Sequence, residues 1–189
     1  LAKSMKFLIM QNEIIIEDRV IGACHPPYII AEMSGNHNGE ITRAKKLIKL
    51  AKLSGACAVK LQTFTADSLT LNSNSDKFML EGGTWAGRKL YELYTETQTP
   101  WSWFQELFSY AKKIGITIFS SPFDLKAVDF LQGLNAPAYK IASNELVDWP
   151  LIEAVVKTGK PIIISTGTAS KKDISETLEF IKESGGDQV

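Results

Sequence analysis

Nine side chains of the kinds that hold anions and move protons stand at or just past the ends of apolar runs: Glu32, Lys60, Gln62, Thr63, Ser121, Lys140, Ser143, Glu145 and Ser165. Lysine inside an apolar run is uncommon unless it is paired or used. Lys60 and Lys140 could therefore be two buried ion pairs with Glu32 and Glu145, or a cationic clamp for a carboxylate or phosphate. A lysine whose pKa burial has lowered could also serve as a Schiff-base nucleophile. Glu32 and Glu145 are candidates for general acid or base work, with burial raising a carboxyl pKa and a neighbouring lysine lowering it. Ser121, Ser143 and Ser165 follow three successive runs, and hydroxyls beside backbone N–H groups suit phosphate oxygens there. Asn36 and His37 lie in Gly35-Asn-His-Asn38, where they could contact substrate, or His37 a metal. With two histidines and no H-x-x-x-H or C-x-x-C spacing, the sequence holds no self-sufficient transition-metal site.

What must position these residues is a repeated strand–loop–helix unit. Apolar runs at 28–32, 58–63, 116–121, 138–143 and 161–166 are each followed by polar or small residues and then a helical pattern. That repetition predicts an α/β fold with a parallel sheet: a (β/α)8 TIM barrel of which this chain carries about the first five units. In such a barrel the active site is built from the carboxyl ends of the strands. Helices are predicted at 41–54, 101–114, 125–133, 148–158 and 171–184. In the first of them Ile41, Ala44, Leu47, Ile48 and Ala51 share one face. Asp124 and Ser170 are candidate N-caps, and glycines close most of the helices. Residues 1–27 read as a lead-in with a hairpin at 6–22 turning at Gln11-Asn-Glu13, and 28–189 as a partial barrel. The long connection at 64–100, with a short helix at 88–94, reads as a cap over the barrel mouth. A closed barrel needs ~250 residues, so the chain reads as part of a longer protein. Five strands could instead form a complete doubly wound sheet, but Ser34-Gly-Asn-His-Asn-Gly39 is not a Gly-rich phosphate loop.

The 189 residues suffice for a core, and 21 basic residues offset 21 acidic ones. That balance removes the electrostatic case for nucleic acid or an anionic membrane surface. No apolar run approaches the ~20 residues of a spanning helix, and the first residues lack the apolar stretch of a secretory signal. Cys24 and Cys57 are too few for a disulfide framework. Together these features predict a cytoplasmic globular enzyme for a small anionic substrate.

Five segments, taken in order, resemble the sialic acid synthase family, which condenses phosphoenolpyruvate with an amino sugar. They are Ile29-Ile-Ala-Glu-Met-Ser-Gly-Asn-His-Asn-Gly39, Val59-Lys-Leu-Gln-Thr63, Ser120-Ser-Pro-Phe-Asp124, Ala138-Tyr-Lys-Ile-Ala-Ser-Asn-Glu145 and Lys160-Pro-Ile-Ile-Ile-Ser-Thr-Gly167. Within 64–100, Asp67-Ser-Leu-Thr-Leu-Asn-Ser73 and Gly83-Thr-Trp-Ala-Gly-Arg-Lys-Leu-Tyr-Glu-Leu-Tyr94 look most like the pseudaminic acid synthase branch. Ser121 replaces a frequent threonine, and Ala142 and Asn144 replace glycines around Ser143. The resemblance implies a barrel followed by a C-terminal antifreeze-like domain, in a homodimer. It implies phosphoenolpyruvate and an acetamido hexose as substrates, and a divalent ion (manganese or magnesium) whose histidine ligands lie beyond Val189. By position, Lys60, Lys140, Ser143 and Ser165 would hold the phosphate and carboxylate, with Ser121 and Gln62 beside them. Glu32 would approach the sugar aldehyde and Glu145 would manage a proton. Two alternatives remain open at this point: a Schiff-base lysine aldolase on the same barrel, and a barrel fragment that binds a sugar without turnover.

Overall fold

The structure is a computed structural model that describes residues 13–189. It opens with an antiparallel hairpin of β1 (Glu13–Ile16) and β2 (Arg19–Gly22), registered Glu13 to Gly22 and Ile16 to Arg19. The two-residue turn is Glu17-Asp18, with Glu17 at φ 55°. Of the turn expected at 11–13, Glu13 is instead in β1, and Gln11 and Asn12, with the strand expected at 6–10, lie outside the described residues.

Five parallel strands follow: β3 (Ile30–Glu32), β4 (Ala58–Thr63), β5 (Thr117–Pro122), β6 (Tyr139–Ile141) and β7 (Ile162–Ile164). They pair strictly in chain order. Between and after them run α1 (Ile41–Leu53), α2 (Ala66–Leu69), α3 (Leu90–Thr97), α4 (Trp101–Ile114), α5 (Leu125–Gly133), α6 (Trp149–Lys157) and α7 (Lys171–Glu183). A doubly wound sheet reverses its strand order at a switch point and carries helices on both faces. Neither holds here. Val59, Leu61, Ile118, Tyr139, Ile141 and Ile162 pack with residues of α1, α4, α5, α6 and α7 in one core. The alternate residues Ala58, Phe119 and Ala138 pack instead on Ile16 of the hairpin. The helices therefore cover one face, and the hairpin fills the amino-terminal end of the other. This is five units of a singly wound barrel wall.

Local chemistry explains the helix limits. Asp124 accepts a hydrogen bond from the Ala127 N–H (2.7 Å), and Ser170 forms a reciprocal capping box with Asp173. Gly115 closes α4 at φ 72°, a left-handed conformation that side chains resist. At the far end the Gln188 carbonyl accepts from the Ile162 N–H (2.8 Å), beside the free edge of β7.

The 64–100 insertion is ordered by its own contacts. Met79 bridges to Lys89, which holds 88–89 extended, so the helix predicted at 88–94 instead begins at Leu90. Phe64 meets Tyr94 and Phe123 edge-on, and Tyr91 bonds Asp67. The Trp101 indole N–H donates to the Phe64 carbonyl (3.3 Å). These contacts tie the insertion to the β3–β5 part of the rim, so it flanks the mouth on that side. No described helix is long and apolar enough to cross a membrane.

Candidate active site

Side chains alternate along a strand, so the two packing faces assign each site residue. Ala58 faces inward with Phe119 and Ala138; by alternation so do Lys60 and Gln62 on β4, Ser121 on β5 and Lys140 on β6. Lys60 stands opposite Phe119, and Gln62 opposite Ser121. The register of Ser120 with Tyr139 places Ser121 beside Lys140. The two lysines thus share the inner face of the sheet toward its carboxyl end, with β5 between their strands.

Lys60 forms an ion pair with Glu32, whose other oxygen accepts from the Ser34 N–H (3.2 Å) and hydroxyl (2.8 Å). Lys140 differs. Among the described residues it has no carboxylate within ion-pair distance, although Glu32 and Glu145 act on it electrostatically. Burial, and then the charge on Lys60, hold its pKa below the usual lysine value. Glu145 sits in the short 3-10 turn Asn144–Val147 that follows β6. Burial pushes its carboxyl pKa up, and its backbone N–H and Lys140 only partly offset this. Both groups are thus biased toward their neutral forms, because desolvation outweighs their mutual attraction. Ser121 is 1% exposed, and its hydroxyl has no hydrogen-bond partner among the described residues. Ser165 follows β7, its N–H donating to the Ile141 carbonyl (3.1 Å). Thr168 donates to the Ser143 carbonyl (3.2 Å), joining the loops after β6 and β7. A half-buried, unpaired amine next to a buried, unpartnered hydroxyl is a site shaped for an anionic oxygen.

A sequence profile of the NeuB family matches residues 47–189. This chain belongs to the NeuB family. It is 46% identical over 157 residues to the pseudaminic acid synthase of Helicobacter pylori, covering 83% of this chain and 46% of that protein. It is 36% identical over 158 residues to the N,N'-diacetyllegionaminic acid synthase of Campylobacter jejuni, covering 83% and 47%. Among solved structures, the N-acetylneuraminic acid synthetase of Leptospira borgpetersenii, in complex with citrate, is similar with a TM-score of 0.80. The identity there is 26%, over 93% of this chain and 57% of that one. This NeuB-family chain spans about half the length of the curated relatives it matches. Its relatives include synthases of pseudaminic acid, of N,N'-diacetyllegionaminic acid and of N-acetylneuraminate 9-phosphate.

Thr63 and His37, expected at the mouth, are buried elsewhere in this NeuB-family wall, while Asn36 stays exposed in the loop after β3. Thr63 is fully buried, and its hydroxyl pairs with that of Ser120 at 2.7 Å. One position from Gln62 puts it on the helix-facing side, which the period of two already implied. Asn36 turns its amide back onto the Met33 carbonyl (3.0 Å). His37 is fully buried: its Nδ1 accepts from the Gly39 N–H (3.1 Å), and its Nε2 lies 3.1 Å from the Thr99 hydroxyl. Thr99 escaped the sequence reading because its partner is 62 positions away.

Among the described residues no group of three or more His, Cys, Asp and Glu is arranged to hold a metal ion, so these residues do not by themselves make a metal site. A cavity of about 850 Å³ lies at the opposite end of the sheet, lined by Arg19, Tyr28, Cys57, Thr117 and Pro137 among others. The hairpin roofs that end, which is why a cavity forms there, and it is remote from the paired lysines.

The unpartnered Ser121 hydroxyl carries a stability prediction. A buried, unsatisfied polar group costs about 1–3 kcal/mol. Ser121→Ala should therefore raise unfolding free energy by about 1 kcal/mol in urea titrations. A loss of that size would mean the hydroxyl is satisfied in the fold.

Proposed function

We propose that this chain is the phosphoenolpyruvate-binding half of the barrel of a nonulosonic acid synthase, with pseudaminic acid chemistry as the nearest reading. The observation that carries the proposal is Lys140: half-buried, without an ion-pair partner among the described residues, next in register to the unpartnered Ser121 hydroxyl and within the electrostatic influence of Lys60 across β5. Identity of 46% to a pseudaminic acid synthase supports the sugar class.

In this reading Lys60 and Lys140 offset the charge of the phosphate and carboxylate, while Gln62, Ser121, Ser143 and Ser165 donate hydrogen bonds to their oxygens. C3 of phosphoenolpyruvate forms a bond to the aldehyde carbon of the acetamido sugar, and that oxygen takes up a proton. Water adds to C2, and the tetrahedral intermediate expels phosphate by cleavage of its C–O bond. The net reaction joins the two substrates and water into a nonulosonic acid plus phosphate. Glu32 stands by Lys60 where the aldehyde would approach. Glu145, its carboxyl pKa raised by burial, is suited to hold a proton and exchange it with the substrates, giving one to the aldehyde oxygen or taking one from the water that adds to C2. We place the ligands of any divalent ion outside residues 13–189. Homodimer formation and a cytoplasmic location belong to the same proposal.

The test is phosphate release by the complete protein from phosphoenolpyruvate with manganese and a panel of acetamido hexoses. Release that depends on one of the sugars is expected; none with any sugar would end the proposal. The lowered pKa of Lys140 favours a second reading, a Schiff-base aldolase, because a neutral amine is nucleophilic. Borohydride reduction in the presence of substrate should leave the lysines unmodified by mass spectrometry. A covalent adduct on Lys60 or Lys140 would select the aldolase instead.

A further inference from the structure

The loop after β3 is held in place from a distance. It is a chain of overlapping turns: the Asn36, Asn38 and Glu40 N–H groups donate to the Met33, Gly35 and His37 carbonyls. Two of its non-glycine residues, Ser34 (φ 45°) and Asn38 (φ 48°), sit in the left-handed region. Such backbone persists only where its surroundings over-determine it. Two contacts with the end of the 64–100 insertion do so. At Gly35 the backbone lies so close to Thr97 that an added Cβ would stand 2.9 Å from the Thr97 Cβ and carbonyl oxygen. At His37, acceptance from the Gly39 N–H leaves Nδ1 without a hydrogen, so in the neutral ring Nε2 carries it and donates to the Thr99 hydroxyl. The ring is also packed edge-on against Trp103, at 5.3 Å between centroids. Ser34, in this same loop, gives both of its hydrogens to Glu32, the carboxylate paired with Lys60.

We propose that His37 is a positioning residue: it pins the β3–α1 loop to the end of the insertion, and through Ser34 it holds the Glu32 carboxylate against Lys60. This rests on the reading above that Glu32 works in the site. His37 itself is buried beneath the loop and touches no substrate. The insertion thereby acts on the chemistry through Thr97 and Thr99, at its junction with α4.

The experiment is a double-mutant cycle in the complete protein. His37→Asn keeps an acceptor near the Gly39 N–H and loses the reach to Thr99. Alone it should lower kcat about tenfold, as removal of an outer-shell partner typically does, with the KM for phosphoenolpyruvate little changed. In a Glu32→Gln background it should have no further effect, because the two act as one unit. Unchanged kcat, or a full tenfold loss on top of Glu32→Gln, overturns the proposal. Thr99→Val, which preserves shape and removes the acceptor, should reproduce the cycle if His37→Asn folds poorly. Hydrogen exchange gives a readout independent of turnover: the Ser34 amide should exchange faster in Thr99→Val, and unchanged exchange overturns the link. A protein with no phosphate release but with that faster exchange would retain the latch and lose only the synthase reading.

Discussion

Replacing Lys140 with alanine in the complete protein is expected to reduce phosphate release from phosphoenolpyruvate about 100-fold. Removing one preorganised contact to developing charge raises the barrier by roughly 3 kcal/mol, and 1.4 kcal/mol is a factor of ten. Lys140 is the sharper choice over Lys60, because Lys60→Ala also strands the Glu32 carboxylate. The same lysine should show an opposite effect on stability. Its pKa in the fold lies below the usual 10.5, so at neutral pH the charged amine disfavours the folded state. Between the lowered value and 10.5 the unfolded chain binds more protons. Stability therefore rises with pH across that window, and the gain is lost as pH falls through the folded value. Lys140→Met, similar in shape and uncharged, should accordingly raise Tm while turnover collapses. In the wild type, phosphoenolpyruvate affinity should weaken as pH rises through the lowered value. Near-normal turnover in both Lys140→Ala and Lys60→Ala would remove the cationic clamp from this protein.

Gly35→Ala should be the most damaging small substitution on the rim. Its new Cβ would meet the Thr97 side chain and the Thr97 carbonyl oxygen, both at 2.9 Å, and a backbone atom cannot swing aside as a side-chain tip can. Overpacking of this kind costs about 1–3 kcal/mol. For a domain of this size that corresponds to a fall in Tm of roughly 2–12 °C, readable by thermal denaturation. Gly82→Ala is the control, since its Cβ would meet nothing within 4 Å and its φ is extended. Equal Tm values for the two variants would show that the loop does not bear on the insertion as described. Activity should fall with Gly35→Ala as well, because the loop that moves holds Glu32.

Much of the wall was legible because its signals are local. Ala58–Thr63 and Trp101–Ile114 have the limits their patterns predict, set by the apolar residues of the strand, by Pro100 before the helix, and by Gly115 after it. β6 and β7 are shorter than predicted: the chain leaves the sheet at Ala142 for the turn carrying Glu145, and at Ser165 for the loop that meets Ser143. Thr63 was misassigned although the signal was present, for it lies an odd number of positions from Lys60. The helix after the insertion was misplaced for a less local reason. Residues 88–89 have helical composition, and the Met79–Lys89 bridge holds them extended.

By itself the sequence determined the repeating unit and the place of Lys60, Gln62 and Lys140 in or at the ends of its apolar strands. These follow from spacing along one chain and from the rule that apolar faces are buried. Only the tertiary structure decided which charges are paired. Glu32 takes Lys60 while Lys140 is left without an ion pair among the described residues, because the parallel register of β3 on β4 sets Glu32 directly beside Lys60. It also decided that His37 is buried, with its ring nitrogens engaged by Gly39 and Thr99, since Thr99 and Trp103, more than sixty positions away, close around its ring. Pairing and burial depend on partners distant in the chain, and no local pattern records which partner arrives.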